Sequence, residues 1–373
     1  MKNWFLFAGA LLSAPLAAFA SGVPAVASDA TFAVSAKHIV VDGKTTVVDG
    51  VLIVERGKVR EVLDAKQKSK AAGLPTVEHG GWVSAGMIAA RSHLGTRGEV
   101  VEPKRSIAAH ARVVDVVDFG HPELNAALEA GITTVVVAPD GSNLIGGRTA
   151  VVKTHGRQVL DPDAHLVIAP SASALRANRE PTSFAGAMAM LREQFERPEG
   201  PVAEVAAGKL PVLLEVSARD ELQRALEFAL THKLRGALSH AALAGELAAD
   251  VKRSGLAAIV GPFGVGTHPR ALDSVRALAA ESVPLAFGLD WNSAPEELRL
   301  SAVMCVRQGL SSELAWNALT SHAAAVLGLQ ERIGTLRAGC DADFVLWSGA
   351  PLELTSHVDA VFVGGVHVFG GRK

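Results

Sequence analysis

The middle of the chain alternates short apolar segments with amphipathic ones, and this alternation limits its possible folds more than any other feature. Between about residues 86 and 329 we find eight candidate buried strands: GMIAARSHL, TTVVVAP, TAVVKT, HLVIAP, PVLLEVS, RGALSH, AAIVGP and PLAFGLD. Segments such as ELQRALEFALTH lie between several of them, with apolar residues at helical spacing. Strands and helices in series predict a parallel sheet, and about eight strands predict a closed barrel. An open, doubly wound sheet is the alternative.

Both ends of the chain have a different pattern, in which β-branched runs alternate with turn signals. Asp-Gly pairs at 42–43 and 49–50 separate such runs near the N-terminus, and HVDAVFVGGVHVFGG continues the pattern near the C-terminus. Two β-rich ends predict one composite domain. The predicted class is therefore α/β: a (β/α)8 TIM-like barrel at 81–332, with a small β-sandwich domain formed from both termini, 27–80 plus 333–373.

The first twenty residues have the pattern of a secretory signal. Lys2 precedes an apolar run, and Ala-Phe-Ala at 18–20 precedes Ser21 as a cleavage site would. The run is shorter than the ~20 residues that a membrane-spanning helix needs. We expect residues 1–20 to be a signal peptide, the mature protein to be exported to the periplasm, and no membrane attachment after cleavage. An uncleaved anchor or an ordinary helix is the alternative.

Composition excludes several classes of function. The 36 basic and 38 acidic side chains give a net charge of -2, which provides no basic surface for nucleic acid or an anionic membrane. Aromatic residues make up only 5% of the chain and tyrosine is absent, so a stacking surface for single strands or glycans is not expected. The two cysteines, Cys305 and Cys340, do not form a disulfide framework. We therefore expect the protein to act on a small-molecule substrate or to bind a protein partner.

Polar residues end several of the predicted strands, which is where barrel enzymes carry their catalytic groups. Strand one ends in Arg-Ser-His at 91–93, strand five ends near Glu215, strand six at His240 and strand eight at Asp290. Lys153 ends the third strand, TAVVKT. For this lysine we expect a strand-end side chain that reaches solvent, with a role at the site as the weaker alternative.

Four segments resemble one family of hydrolases. GMIAARSHLG resembles the amidohydrolase signature, in which a strand led by glycine ends in Asp-x-His-x-His. AGITTVVVAPDGSNLIGGRTAVVKTHG resembles a glycine-rich segment of the imidazolonepropionase-like branch. FGLDWN and IGTLRAGCDADFVLWSGAPLE resemble the eighth strand and the return to the β domain. By these segments the chain resembles the amidohydrolase superfamily, imidazolonepropionase-like branch, with a degenerate metal site.

The resemblance implies hydrolysis of amide or cyclic C–N bonds at one or two divalent metals. In the family, two histidines of strand one, a carboxylated lysine, histidines from strands five and six, and the aspartate of strand eight surround the metals. That aspartate also shuttles the proton. A bound metal lowers the pKa of its water to roughly 7, and a carboxylate then takes the proton as the nucleophile attacks.

This sequence departs from the family pattern at the ligands themselves. Arg91 stands where the first histidine belongs, and Glu215 and Ser217 stand where strand five carries a histidine. A guanidinium has no lone pair to offer and repels a nearby cation. A two-metal site is therefore not expected.

The family-type residues that remain allow at most one metal ion. Predicted ligands are His93, His240 and Asp290, with Glu215 as a substitute oxygen ligand, and zinc is the first expectation. Asp290 is the predicted general base, and His240 is the predicted ligand or electrophile. Lys153 is the weak candidate for the bridging lysine.

Two hypotheses follow. The first is an exported hydrolase of non-peptide C–N bonds in small molecules, which activates water with a single metal. The second is a catalytically silent pseudoenzyme without metal, in which Asp290 pairs with Arg91 and the chain serves as a partner subunit or binding module. Assembly as a homo-oligomer, or as a hetero-oligomer with an intact relative, is compatible with both.

We predict fewer than two equivalents of divalent metal per mature chain, because Arg91 and the strand-five substitutions remove ligands and add a repelling charge. Elemental analysis of protein purified without chelator measures this content. Two tightly held metals per chain would contradict the prediction.

Overall fold

The computed structural model describes residues 30–97 and 100–370, which contain both kinds of predicted structure. The α/β class is confirmed, since strands and helices alternate through the middle of the chain. The predicted signal peptide lies outside the described residues. None of the helices in these two ranges has the length and apolar character that a membrane crossing needs.

The described ranges contain the following strands and α-helices. The strands are β1 (Thr31–Val40), β2 (Thr46–Glu55), β3 (Lys58–Leu63), β4 (Thr76–Ala85), β5 (Met87–Ser92), β6 (Ile132–Val137), β7 (Ile145–Arg148), β8 (Ala150–Lys153), β9 (Val159–Asp161), β10 (Leu166–Ile168), β11 (Val212–Glu215), β12 (Gly236–Ser239), β13 (Ala257–Val260), β14 (Leu285–Phe287), β15 (Phe344–Trp347), β16 (Val358–Val363) and β17 (Val366–Gly370). The helices are α1 (Pro122–Glu129), α2 (Phe184–Glu196), α3 (Gly200–Ala206), α4 (Arg219–His232), α5 (Ala248–Ser254), α6 (Pro269–Ala280), α7 (Glu296–Arg307), α8 (Ser312–Leu319) and α9 (Ser321–Val326). Each of the eight strands predicted for the middle of the chain is present, as β5, β6, β8 and β10 to β14.

The two ends of the chain meet in one seven-stranded sheet, with the order β17-β16-β15-β4-β1-β2-β3. β4 joins the halves, because it pairs in parallel with β1 and antiparallel with β15. The Trp347 indole N–H donates to Ser84 Oγ at 2.9 Å across this junction, in the buried interior. Pairing of both termini in one sheet is thus observed. The described strands of both ends pair as one sheet, so the predicted sandwich is not shown, and the division into domains at 80/81 and 332/333 stays a prediction.

The remaining strands form two sheets that adjoin at two places. One has the order β14-β13-β12-β11-β10-β7 and the other β5-β6-β8-β9. The first place is between β7 and β8, which are separated only by Thr149. The second is between β5 and the residues after β14, where the Leu289 N–H donates to the Arg91 carbonyl at 2.8 Å. Strand pairing alone does not give the predicted closed barrel. It does bring the carboxyl ends of β5, β11, β12 and β14 to one edge, which we call the carboxyl edge.

The third predicted strand runs in the opposite direction from the one expected. β8 pairs antiparallel with β6, so that Lys153 lies opposite Thr134 near the start of β6, and Ala150 lies opposite Val137 at its end. The carboxyl end of β8 therefore lies at the edge opposite the carboxyl edge. The sequence pattern of a buried strand does not record its direction, and the expectation of a wholly parallel set was wrong here.

Lys153 consequently has neither of the two roles considered for it. Its side chain is buried, with Nζ 2.7 Å from Asp341 Oδ2 and 3.1 Å from Asp343 Oδ1. Asp341 also pairs with Lys58 and with Arg332, which are partly exposed. Burial raises the pKa of Asp343, and the Lys153 charge opposes that rise. Lys153 thus ties β8 to the segment that leads into β15.

We predict that Lys153→Met destabilises the protein by about 3–5 kcal/mol, because it leaves buried carboxylates without their internal cation. Lys58→Met is the matched control: its side chain is 48% exposed. It should cost under about 1 kcal/mol. Denaturant unfolding of both variants measures the difference. Equal losses would show that Lys153 is not the group that holds this junction.

Candidate active site

One buried guanidinium organises the carboxyl edge. Arg91, the fifth residue of β5, is 2% exposed. Its Nη1 donates to the Leu289 carbonyl at 3.2 Å and lies 3.4 Å from Asp290 Oδ1. Its Nη2 lies 3.4 Å from Glu215 Oε2. The pair of Arg91 with Asp290, expected under the second hypothesis, is present, and Glu215 is a second partner.

His240 lies between the same two carboxyl groups. Its Nε2 is 3.9 Å from Glu215 Oε1, and its Nδ1 is 3.9 Å from Asp290 Oδ2. The residue follows β12 directly and has a φ of 55°, in the left-handed region that non-glycine residues seldom adopt. Backbone strain of this kind is concentrated at functional sites, where it aims a side chain. Here it directs the imidazole toward the cluster.

His93 is held apart from this cluster. Its ring stacks on Trp291, with centroids 4.0 Å apart and planes 12° from parallel. Neither ring nitrogen has a hydrogen-bond partner among the described residues; the backbone of Ala138 is close but does not meet hydrogen-bond geometry. Neither lies within 4 Å of a described carboxylate oxygen. Of the four predicted ligands, the structure therefore brings together Glu215, His240 and Asp290.

The two carboxyl groups have pKa values displaced in opposite directions. Burial raises the pKa of Glu215 to about 7, although the Arg91 charge opposes the rise. Burial also acts to raise the pKa of Asp290, but His240, the Trp291 backbone N–H and Arg91 together outweigh it and lower the pKa. Exposure accounts for the contrast, since the side chain of Glu215 is 8% exposed and that of Asp290 is 44% exposed. At neutral pH Asp290 is ionised and Glu215 is partly protonated.

Both histidines of the carboxyl edge are uncharged at neutral pH. Burial, followed by the Arg91 charge, lowers the pKa of His93 to about 3 and that of His240 to about 4. Their rings therefore act there as neutral donors or acceptors of hydrogen bonds.

A cavity of about 370 Å³ opens over the cluster. Its lining comprises Arg91, Asp140, Gly141, Ser142, Ser173, Arg176, Glu215, Ser217, His240, Asp290 and Trp291. Sequence reasoning missed the contribution of the loops after β6 and β10, with Asp140, Arg176 and Ser173 as examples. The glycines of the DGSNLIGG segment were a sequence signal for one of these loops. The structure explains the first of them: a Cβ at Gly141 would lie 2.3 Å from Glu215 Oε1, so only glycine fits there without a shift.

Arg179 fastens the loops around this cavity to one another. Its guanidinium donates to backbone carbonyls of three loops: Glu102 at 3.2 Å, Pro103 at 3.1 Å, Arg105, Ser142 at 2.7 Å and Ala174 at 3.4 Å. A planar fork of five N–H groups suits such a multiple contact. Ser142 and the neighbouring Gly141 are thereby held over Glu215.

Solved structures resemble this fold closely. An amidohydrolase from Thermotoga maritima MSB8 aligns with a TM-score of 0.83 and 22% identity, covering 91% of this chain and 100% of that one. A zinc-bound adenosine deaminase from Xanthomonas campestris aligns with a TM-score of 0.56 and 15% identity, covering 92% and 94%. At these identities the likeness is one of fold alone.

Sequence comparison adds the family. The model described as "Amidohydrolase family" matches residues 219–368. Imidazolonepropionase from Salmonella typhi is 41% identical over 85 residues, 21% of each chain. Over residues 219–368 the chain is similar in sequence to the amidohydrolase superfamily, and over most of its length it is similar to an amidohydrolase in fold. Its likeness within the superfamily is to the imidazolonepropionase-like branch, although the chain spans only about a fifth of the length of the curated relatives it matches.

The likeness to the amidohydrolase superfamily implies a divalent metal, and the residues present, as they are arranged, do not fit one. A cation shared by Glu215 and Asp290 would compete with the Arg91 guanidinium that already contacts both. His240 presents a different nitrogen to each carboxylate, so the two 3.9 Å contacts do not define one ligand position. Arg91 thus supplies the positive charge at this place, and the predicted single-metal site stays an untested expectation.

We predict that Arg179→Lys loosens the loops around the cavity, because an ammonium cannot reach carbonyls of three loops at once. Hydrogen exchange of backbone amides in 100–106 and 139–143 should quicken on the order of tenfold or more. Arg197→Lys, on an exposed side chain for which no hydrogen bond is found among the described residues, is the control. Unchanged exchange in both variants would refute the role of Arg179.

Proposed function

We propose that this protein hydrolyses a non-peptide C–N bond of a small amide or cyclic amide without a resident metal. One observation carries the proposal: Asp290 and Glu215 flank the Arg91 guanidinium, face one cavity, and have pKa values displaced in opposite directions. Pairs of acidic groups separated in this way divide the roles of base and acid.

The reaction step uses each group in the form that it has at neutral pH. Asp290 takes a proton from water as the water oxygen bonds to the carbonyl carbon. Arg91 lines the cavity, and its positive charge stabilises the negative charge that develops on the carbonyl oxygen. Protonated Glu215 then donates its proton to the leaving nitrogen as the C–N bond breaks, giving a carboxylic acid and an amine.

His240 is suited to restore the two carboxyl groups after turnover. Its Nδ1 faces Asp290 and its Nε2 faces Glu215. A neutral imidazole accepts a proton at one nitrogen and releases one from the other, so the proton gained by Asp290 can return to Glu215. The 3.9 Å separations must shorten for this transfer, as catalytic contacts commonly do when a ligand binds.

A second candidate function is supported by the same ion pairs. Because Arg91 already engages both carboxyl groups, the cluster is also compatible with a catalytically silent chain that acts as a binding module or as the partner subunit of an intact relative. This candidate requires Arg91 to stabilise the fold and requires no turnover.

Several further parts of the proposal rest on sequence. Export to the periplasm rests on the signal pattern of residues 1–20. We also propose a small-molecule substrate and assembly as a homo-oligomer or with an intact relative. A site with one zinc ion is the alternative to the metal-free mechanism. We further propose that the two adjoining sheets are one (β/α)8 barrel, supported by the Leu289–Arg91 hydrogen bond and the continuity of β7 with β8.

We predict that Asp290→Asn lowers turnover on the order of 10²-fold or more, since it removes the proton acceptor but keeps the shape. Asp273→Asn is the control, because its side chain is 45% exposed, much as Asp290 is, but lies on α6. Turnover of a panel of small amides and cyclic amides provides the measurement. Absence of turnover across the panel in the unaltered protein would favour the silent candidate.

We also predict that kcat/KM falls about tenfold per pH unit above about 7. The raised pKa of Glu215 means that its acid form is present below pH 7 and is lost as the pH rises through that value. Glu215→Gln should lower activity and abolish this fall. A water activated by zinc has the opposite dependence, with activity that rises through about pH 7. A rising profile together with one bound metal would establish the single-metal hydrolase instead.

A further inference from the structure

Trp291 is the one aromatic ring of phenylalanine or tryptophan that is left exposed in the described part of the chain. It is 43% exposed, whereas the other described rings are buried or partly buried. It also lines the cavity over Arg91. Leaving much of an indole in water forgoes a large hydrophobic stabilisation, so its position at the cavity needs an explanation.

One face of the indole is already covered by a neighbouring ring. His93 stacks on it at 4.0 Å, and the ring of His93 is itself buried and uncharged at neutral pH. The exposed area of Trp291 therefore belongs to its other face and its edges. The Trp291 backbone N–H donates to Asp290 Oδ1 at 2.8 Å, which places the residue directly beside the general base.

The stack alone does not require this exposure. His38 and Trp82 form the same kind of pair in the seven-stranded sheet, with centroids 4.2 Å apart and planes 25° from parallel. There the tryptophan is only partly exposed and lies away from the cavity lining. What distinguishes Trp291 is a ring that is stacked on one side and exposed at the cavity on the other.

We propose that Trp291 is a specificity-determining residue: its free face is a platform on which a planar ring of the ligand stacks, with its amide edge toward Asp290. The assignment rests on the proposed function for the site and narrows its ligand class to flat cyclic amides and similar unsaturated rings. Stacked rings gain from offset π contact and from the removal of apolar surface from water. An acyclic amide with the same polar groups gains less from π contact and less from the burial of apolar surface.

The experiment compares hydantoin, a planar cyclic amide, with N-carbamoylglycinamide, an acyclic molecule with similar polar groups. Affinities are measured by calorimetry for the full protein, Trp291→Phe and Trp291→Leu. Trp82→Leu is the matched control, because it removes the ring of the equivalent stack outside the cavity. Thermal unfolding of each variant shows that it is folded.

We expect hydantoin to bind more tightly than the acyclic probe, and Trp291→Leu to weaken hydantoin on the order of three- to tenfold. Trp291→Phe should retain most of the affinity, and Trp82→Leu all of it. Equal affinities for the two probes, no effect of Trp291→Leu, or no binding of hydantoin at all would overturn the inference. Binding through Trp291 without hydrolysis would leave the platform intact and refute the proposed turnover.

Discussion

The site depends on the burial of a single permanent cation at the carboxyl edge. Arg91 has almost no contact with water and is matched by Glu215 and Asp290. Burying a charge is tolerable only where partners are close, and the net stabilisation from such a cluster is small because desolvation offsets attraction. The consequence is electrostatic: the guanidinium adds to the effect of burial, which keeps both histidines neutral, and it contacts both carboxyl groups that a metal would need as oxygen donors.

A second buried cation shows that such a cluster need not be a site. Lys153 also lies between two carboxylates, Asp341 and Asp343, but all three side chains are almost fully buried and join β8 to the segment before β15. At the carboxyl edge, Asp290 is 44% exposed to the cavity. Similar ion-pair chemistry therefore serves the fold at one edge and is available to a ligand at the other. The difference lies in exposure to the cavity.

Much of the architecture could be predicted from local patterns. The eight short apolar segments form eight strands, as runs of that length rich in β-branched residues often do, and both β-rich ends meet in one sheet. Strand direction could not be predicted, since an apolar run has the same pattern in either direction; this is why Lys153 was misassigned.

The candidate site was also only partly predictable from local sequence patterns. Glu215 and His240 end the neighbouring strands β11 and β12, so their meeting follows from strand order. Asp290 follows β14, which β13 separates from β12, and it meets them through side-chain contacts with Arg91 and His240. His93 also ends a strand, but its ring turned toward Trp291, which depends on side-chain packing. Asp140, Ser173 and Arg176 lie on loops, whose course is set by tertiary contacts such as those of Arg179. Apart from the glycines that follow Asp140, no local pattern places these loops at the cavity.

Under the proposed function, the Arg91 guanidinium takes the place of a divalent ion, and this changes which substrates the site can process. A metal polarises the carbonyl and acidifies its bound water at once. Arg91 carries a single delocalised charge that is already shared between two carboxyl groups, so it can stabilise a developing oxyanion but cannot generate hydroxide. Under the proposed mechanism, activation of water falls to Asp290, whose lowered pKa makes it a weak base. The chemistry best matched to this arrangement is cleavage of C–N bonds that are already activated by ring strain or by a good leaving nitrogen, held flat and close to the base.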